Sequence, residues 1–124
     1  MTSVFLLPEG VVRENGQGPE VALESAQGKS LLVTLGVTRI LERETLEVAI
    51  LGSIDGTGWQ PLVTYPKKSY CGTYSLLLDL SQHQDVSHLR VQWHMSRWDQ
   101  RKPKPVFAFY VSMEELRARV AGAA

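Results

Sequence analysis

The segment from Leu46 to Tyr65 is the part of the sequence that most constrains the fold. Its first five residues, Leu-Glu-Val-Ala-Ile, alternate in polarity, as in a strand with one face against a core. A second strand-like run ends the segment, and the dipeptide Asp55-Gly56 lies between the two runs. An Asp-Gly turn flanked by such runs is typical of a β-hairpin, so the sequence predicts an antiparallel sheet.

Turn-forming residues recur at short intervals along the chain and separate eight runs of strand-like composition. The predicted strands are 4–7, 20–24, 30–39, 45–53, 59–65, 72–80, 88–96 and 106–111. This spacing predicts an all-β fold, an antiparallel β-sandwich of jelly-roll character with about eight strands. A chain of 124 residues has room for one core of this kind, so we expect a single domain over 1–124.

Strand alternation also predicts which side chains fill the core, because residues two apart on a strand share a face. Strand 88–96 shows the pattern most clearly, since Arg90, Gln92 and His94 alternate with apolar residues. The predicted core residues are Leu31, Val33, Leu35, Val37, Leu46, Val48, Ile50, Tyr74, Leu76, Leu78, Leu80, Leu89, Val91, Trp93, Met95, Phe107, Phe109 and Val111.

The last part of the sequence has a helical pattern instead of a strand pattern. Ser112-Met113-Glu114-Glu115 has the form of a capping box, in which the serine hydroxyl accepts from the Glu115 amide. Leu116 and Val120 follow at the spacing of one helical turn. These signals predict a short C-terminal helix at about 113–121.

Composition excludes several classes of function. Thirteen basic residues balance thirteen acidic ones, so no overall charge favours nucleic-acid specificity. Cys71 is the only cysteine, which fits a reducing compartment, and the N-terminus lacks the basic region of a signal peptide. The longest apolar run is far shorter than the roughly 20 residues of a membrane span. A cytoplasmic protein without a membrane span is therefore expected.

No catalytic or cofactor signature is present in the sequence. The three histidines are not at metal-ligand spacing, and Asp55 alone is a poor calcium site. Ser69 and Cys71 do not lie in a nucleophile elbow, and no glycine-rich loop leads into a predicted helix. We therefore expect no enzyme activity, no cofactor and no bound metal.

Two resemblances to known families are visible. The segments that carry the first are 18–23, 32–38, 46–59, 89–93 and 105–111. In this order they resemble small β-sandwich proteins found among the structural genes of tailed bacteriophages and prophages. The resemblance implies a virion-type or shell-type structural component rather than an enzyme.

The second resemblance is local. Ser53–Trp59, followed about thirty residues later by His88–Val91, is similar to the hairpin and strand motifs of discoidin-like, galactose-binding-like jelly rolls. This resemblance implies the jelly-roll fold and binding of a glycan or lipid by loops.

The distribution of charge is more informative than its total. If successive strands run antiparallel, the connections at 40–44, 66–71 and 97–104 lie at one end of the sandwich. The basic residues in and beside these connections are Arg39, Arg43, Lys67, Lys68, Arg97, Arg101, Lys102 and Lys104. They are eight of the thirteen in the chain, and only three acidic residues accompany them. Such an end is suited to contacting an acidic surface, including the opposite end of another copy.

These observations lead to a predicted contact surface. Trp98 lies among cations in the longest of the three connections, a composition that recurs in binding surfaces. The predicted partner-binding residues are Lys67, Lys68, Tyr70, Arg97, Trp98, Arg101 and Lys102. We expect a non-enzymatic structural or interaction module that binds a protein partner or itself as a homo-oligomer. The alternatives are a solvated loop end without a partner and a galactose-binding-like module that recognises a glycan through aromatic and basic loop residues. An anionic surface is a further candidate partner of the basic end.

Overall fold

A computed structural model describes residues 4–12, 14–40, 44–68, 71–97 and 107–115. The strands are β1 (Val4–Val12), β2 (Gly16–Gln17), β3 (Val21–Ala22), β4 (Ser30–Ile40), β5 (Glu44–Ser53), β6 (Gln60–Thr64), β7 (Gly72–Asp79), β8 (His88–Arg97) and β9 (Phe107–Glu115). Two single turns of 3-10 helix, Glu24–Ala26 and Leu80–Gln82, join strands at the end opposite the predicted basic connections.

The strands form two sheets in which every pair is antiparallel. The first sheet has four strands in the order β1-β9-β4-β7. The second has five strands, with the order β2-β8-β5-β6 and with β3 also paired to β8. The predicted all-β antiparallel sandwich is therefore confirmed.

The core lies between the sheets and consists of the alternate side chains that the sequence predicts. All eighteen predicted core residues are buried except Tyr74 and Leu76, which are half-buried on β7 and pack against the core from the side. Trp93 of β8 and Phe109 of β9 pair edge to face across the two sheets, with ring centroids 5.6 Å apart. Aromatic pairs in this geometry are favourable beyond their burial, so this contact helps to fix how the sheets pack.

Strand β2 occupies a segment that the sequence predicts as a turn. The Trp93 indole N–H donates to the Glu14 carbonyl at 2.7 Å, and Gly16 packs directly against the indole ring. The side-chain oxygen of Asn15 accepts from the Met95 amide at 2.7 Å. Contacts with β8, which is distant in sequence, therefore hold this polar segment against the sheet.

The prediction that a C-terminal helix begins at about residue 113 is wrong. Residues 113–115 continue strand β9, which pairs with β1 on one side and with β4 on the other. Met113 is only 2% exposed, because it extends the inward-facing row of β9 by one more residue. Pairing on both sides of the strand outweighs the local capping-box signal. The rest of the predicted helix, 116–121, lies outside the described residues.

Candidate interaction surface

The strand pairing places the described termini of the three basic connections at one end of the sandwich. In the first sheet the end of β4 lies beside the starts of β7 and β9, with Val37 paired to Gly72 and Ile40 paired to Phe107. In the second sheet Glu44 at the start of β5 pairs with Arg97 at the end of β8. A three-residue connection joins β4 to β5, so these termini share one end of the molecule. We call this end, marked by Ile40, Glu44, Lys68, Gly72, Arg97 and Phe107, the basic end.

Lys67 and Lys68 belong to the basic end but differ in how they are held. Lys67 is exposed. The Lys68 backbone exchanges two hydrogen bonds with Leu46, at 2.8 and 2.9 Å, and its ammonium lies 3.9 Å from the centroid of the Tyr74 ring. A cation over an aromatic face is attracted by the electron density of the ring. Lys68 is therefore positioned against β7, whereas Lys67 points into solvent.

Arg97 is the last residue of β8, so its backbone is at the basic end as predicted. Tyr70, Trp98, Arg101 and Lys102 lie outside the described residues. The structure thus brings the backbones of three of the seven predicted residues to one end, and the contact role of all seven stays a prediction.

The predicted hairpin turn is confirmed, and Asp55 caps it. The Asp55 carboxylate accepts from the amides of Thr57 at 2.9 Å and Gly58 at 3.1 Å, while the Ser53 hydroxyl accepts from the Gly56 amide at 2.7 Å. The bonds that the Asp55 carboxylate accepts, first of all that from the Thr57 amide and then that from the Gly58 amide, hold the pKa of Asp55 well below its usual range. Gly56 has a φ of 84°, which explains a glycine at this position.

Trp59 and Arg90, which lie in the segments that resemble discoidin-like domains, make contacts within the sandwich. The Arg90 guanidinium lies 5.0 Å from the centroid of the Trp59 ring, and its Nε donates to the Gly18 carbonyl at 3.0 Å. Arg90 therefore links the β6 side of the second sheet to the segment between β2 and β3.

A shallow depression of about 520 Å³ lies on the outer face of the second sheet. Its lining residues are Asn15, Gly16, Gln17, Glu47, Ala49, Gln92, Trp93 and His94. Sequence reasoning missed this feature, because one wall depends on the unpredicted strand β2. The side chains from β5 and β8 that line it combine hydrogen-bonding groups, as in Glu47 and Gln92, with apolar surface from Ala49 and Trp93.

Within the described ranges, no three His, Cys, Asp or Glu side chains are grouped so that they could hold a metal ion. Among the same residues, no helix has the length and apolar character needed to cross a membrane. Cys71 is a free, exposed thiol beside the start of β7.

The comparisons with known proteins identify a similar fold. No family model matches the sequence, and no curated protein matches it. The fold is similar to that of the SPBc2 prophage-derived protein YomS, with a TM-score of 0.54, 10% sequence identity, and coverage of 91% of this chain and 92% of that one. A chain in the structure of infectious bursal disease virus Gx strain is 11% identical, with a TM-score of 0.49; the alignment covers 98% of this chain and 33% of that one. At 10% identity, the likeness to YomS shows a shared fold.

Proposed function

We propose that this chain is a non-enzymatic structural module of a phage-type or virion-type assembly. It contacts a protein partner or further copies of itself through the basic end. The observation that carries the proposal is the strand pairing, which gathers at one end the termini of three connections that contain most of the basic residues of the chain. The similar fold of a prophage-derived protein supports the same class of function.

The composition of the basic end suits recognition of an acidic protein surface. Exposed cations such as Lys67 accelerate encounter with an oppositely charged partner, whereas a desolvated aromatic residue supplies much of the affinity. Trp98 is the aromatic residue in the longest basic connection, and Pro103 and Pro105 follow it in the sequence. Prolines lower the conformational entropy that a loop loses on binding.

The glycan-binding alternative has weaker support. Sugar recognition commonly uses an aromatic face together with hydrogen-bonding side chains. The depression supplies hydrogen-bonding groups, but Trp93 is 9% exposed and its indole N–H is already bonded to Glu14. The depression therefore presents little of an aromatic face to a sugar, and the structural module is the better supported proposal.

Charge reversal tests the proposed contact. We expect the triple variant Lys67→Glu, Arg101→Glu, Lys102→Glu to weaken self-association or partner binding at low salt, with a smaller loss at high salt. Trp98→Ala should weaken binding to a similar extent at both salt concentrations. Lys68 is left unchanged because its ammonium lies over Tyr74 of β7. Sedimentation velocity and pull-down from the native host measure both effects.

A control variant adds charge at the opposite end. Gln60→Glu with Gln82→Glu changes two exposed side chains there and should not weaken association. If the triple variant and Trp98→Ala both retain wild-type association and partners, the basic end is a solvated surface and the proposal is wrong.

A further inference from the structure

Most edge strands of the two sheets carry features that prevent further pairing. Strand β1 contains Pro8 within a stretch where its register against β9 shifts twice. Strand β6 contains Pro61 beside a register shift against β5. Strands β2 and β3 have two residues each and are separated by Pro19. Prolines, bulges and short length are the usual ways in which an edge strand is protected from pairing with another chain.

Strand β7 has none of these features. Its register against β4 is unbroken from the Ser30–Asp79 pair to the Val37–Gly72 pair. Residues 72–78 include no proline and no charged side chain. Thr73 and Ser75 are exposed, and Leu77 is 59% exposed. None of the described strands pairs with the outer side of β7. This edge is therefore long and regular, and it is uncharged from residue 72 to residue 78.

The register shows which backbone groups of β7 point outward. The Leu80 amide donates to the Lys29 carbonyl at 3.0 Å, so this pair is hydrogen-bonded. Hydrogen-bonded and non-bonded pairs alternate along an antiparallel ladder. Residues 72, 74, 76 and 78 therefore direct their backbone groups to β4, and Thr73, Ser75 and Leu77 direct theirs to the open edge.

We propose that β7 pairs with β7 of a second copy of this chain, antiparallel and about a two-fold axis at Ser75. In this register Ser75 lies opposite Ser75 of the second copy, and Thr73 lies opposite Leu77. Each of the three outward-facing residues then exchanges both of its backbone hydrogen bonds with its counterpart. The two four-stranded sheets become one continuous sheet of eight strands.

The side chains of β7 fit a second copy. On the core side, Tyr74 lies opposite Leu76 of the second copy, and both are half-buried in the single chain, so pairing covers apolar surface that the sandwich leaves partly open. Antiparallel pairing also brings the start of one β7, beside Lys68, towards Asp79 at the end of the other. Opposite charges approach each other at both ends of the interface, and no like charges meet at its centre.

This inference rests on the sheet edge and is independent of the proposed contact at the basic end. A dimer held by backbone hydrogen bonds and apolar side chains keeps most of its affinity at high salt, whereas contacts of exposed cations weaken. It also stops at two copies, because the pairing uses the open edge of each chain completely. The salt dependence and the number of copies therefore distinguish the two contacts, and either proposal can fail without the other.

A lysine at the centre of the edge tests the pairing. Ser75→Lys places two cations opposite each other at the two-fold axis, and its only described side-chain hydrogen bond, an exposed one with Thr34 at 3.0 Å, is lost. We expect wild-type protein to sediment as a dimer at high and low salt, and Ser75→Lys to dissociate at least tenfold more readily with an unchanged circular dichroism spectrum. Gln60→Lys, on the proline-containing edge strand β6, is the matched control and should remain dimeric.

Cross-linking gives a second readout that does not depend on destabilising the dimer. In a Cys71→Ser background, Ser75→Cys should form a disulfide between two copies on mild oxidation, because directly opposed residues of this kind have Cα atoms about 5.5 Å apart. Gln60→Cys in the same background should not. A monomeric wild type at millimolar concentration, a Ser75→Lys variant as dimeric as wild type, or equal cross-linking at both positions would each overturn the proposal.

Discussion

Strands β6 and β7 follow one another in the chain, and each lies at the edge of its sheet. The edge of β6 is interrupted, whereas the edge of β7 is regular. Strand β6 has five residues, one of them Pro61, and its register shifts beside this proline. Strand β7 has eight residues and an unbroken register. The difference lies in the backbone: proline and a register shift interrupt the edge of β6, whereas the edge of β7 stays regular and able to pair with another strand.

Proline substitutions give the largest expected effect and separate the two sides of β7. The Leu76 amide points towards β4, so Leu76→Pro removes a ladder hydrogen bond and also deletes a half-buried apolar side chain. Together these losses should cost about 3 kcal/mol or more of unfolding free energy. The Ser75 amide points to the open edge, where proline is tolerated. Ser75→Pro should therefore lower stability much less while it abolishes the dimer. Chemical denaturation together with sedimentation measures both quantities.

Equal destabilisation by the two prolines would show that the assignment of inward and outward amides on β7 is wrong. Circular dichroism of Ser75→Pro serves as the control for its fold. A stable but still dimeric Ser75→Pro variant would move the interface away from this edge.

Tyr65 gives an intermediate effect, because it connects the end of β6 to the sheet that contains β7. The residue is 1% exposed, and its hydroxyl donates to the Val33 carbonyl of β4 at 2.6 Å. Tyr65→Phe leaves this buried carbonyl without that donor, so we expect a loss of about 1–2 kcal/mol. The loss should appear in the free energy of unfolding from denaturant titrations at neutral pH.

The same residue gives the protein a dependence on alkaline pH. Burial raises the pKa of Tyr65 above its ordinary value of about 10, because the phenolate is poorly solvated inside the sandwich. Above pH 10 the unfolded chain loses this proton before the folded chain does, so stability falls as pH rises. Tyr65→Phe should remove part of that fall. Melting temperatures of both proteins between about pH 8 and pH 11 compare the slopes; parallel slopes would contradict the assignment.

Asp55 gives the smallest effect, in the turn that leads into β6. Its pKa is held below the usual value, so its contribution to stability is present above the unfolded-state pKa and is lost as pH falls. Asp55→Asn keeps an oxygen that can accept from the Thr57 amide but removes the titration. We expect a slightly lower stability at neutral pH and a shallower loss on acidification, measured by thermal unfolding between about pH 6 and pH 2. Identical acid profiles would show that the turn does not depend on the charge of Asp55.

Local patterns account for what the sequence could predict of the fold. The hairpin at Asp55 and the strand His88–Arg97 follow from turn chemistry and from alternation over consecutive residues, which tertiary contacts reinforce. Strand β2 and the extension of β9 could not be predicted in this way. Gly16 is placed by Trp93, and Glu115 pairs with Leu31, so the deciding partners are far away in sequence.

The two candidate surfaces also differ in whether the sequence could predict them. The position of the three basic connections follows from antiparallel alternation alone, so the sequence predicts that their termini share one end. The open edge of β7 depends on the order β1-β9-β4-β7, which no local pattern encodes. The sequence predicts Gly72–Leu80 as a strand. It does not predict that this strand lies at the edge of its sheet, with one side unpaired among the described strands.

The position of β9 in its sheet also has a consequence for synthesis. Strand β9 lies between β1 and β4 in the first sheet and pairs with both. In sequence, roughly a hundred residues separate β1 from β9. A ribosome adds about 5–20 residues per second, so β1 leaves the exit tunnel many seconds before its pairing partner has been made. During that interval β4 also lacks one of its two neighbours, and the half-built first sheet exposes strand backbone to other nascent chains. The first sheet can therefore reach its native strand order only after β9 has been translated and has left the exit tunnel.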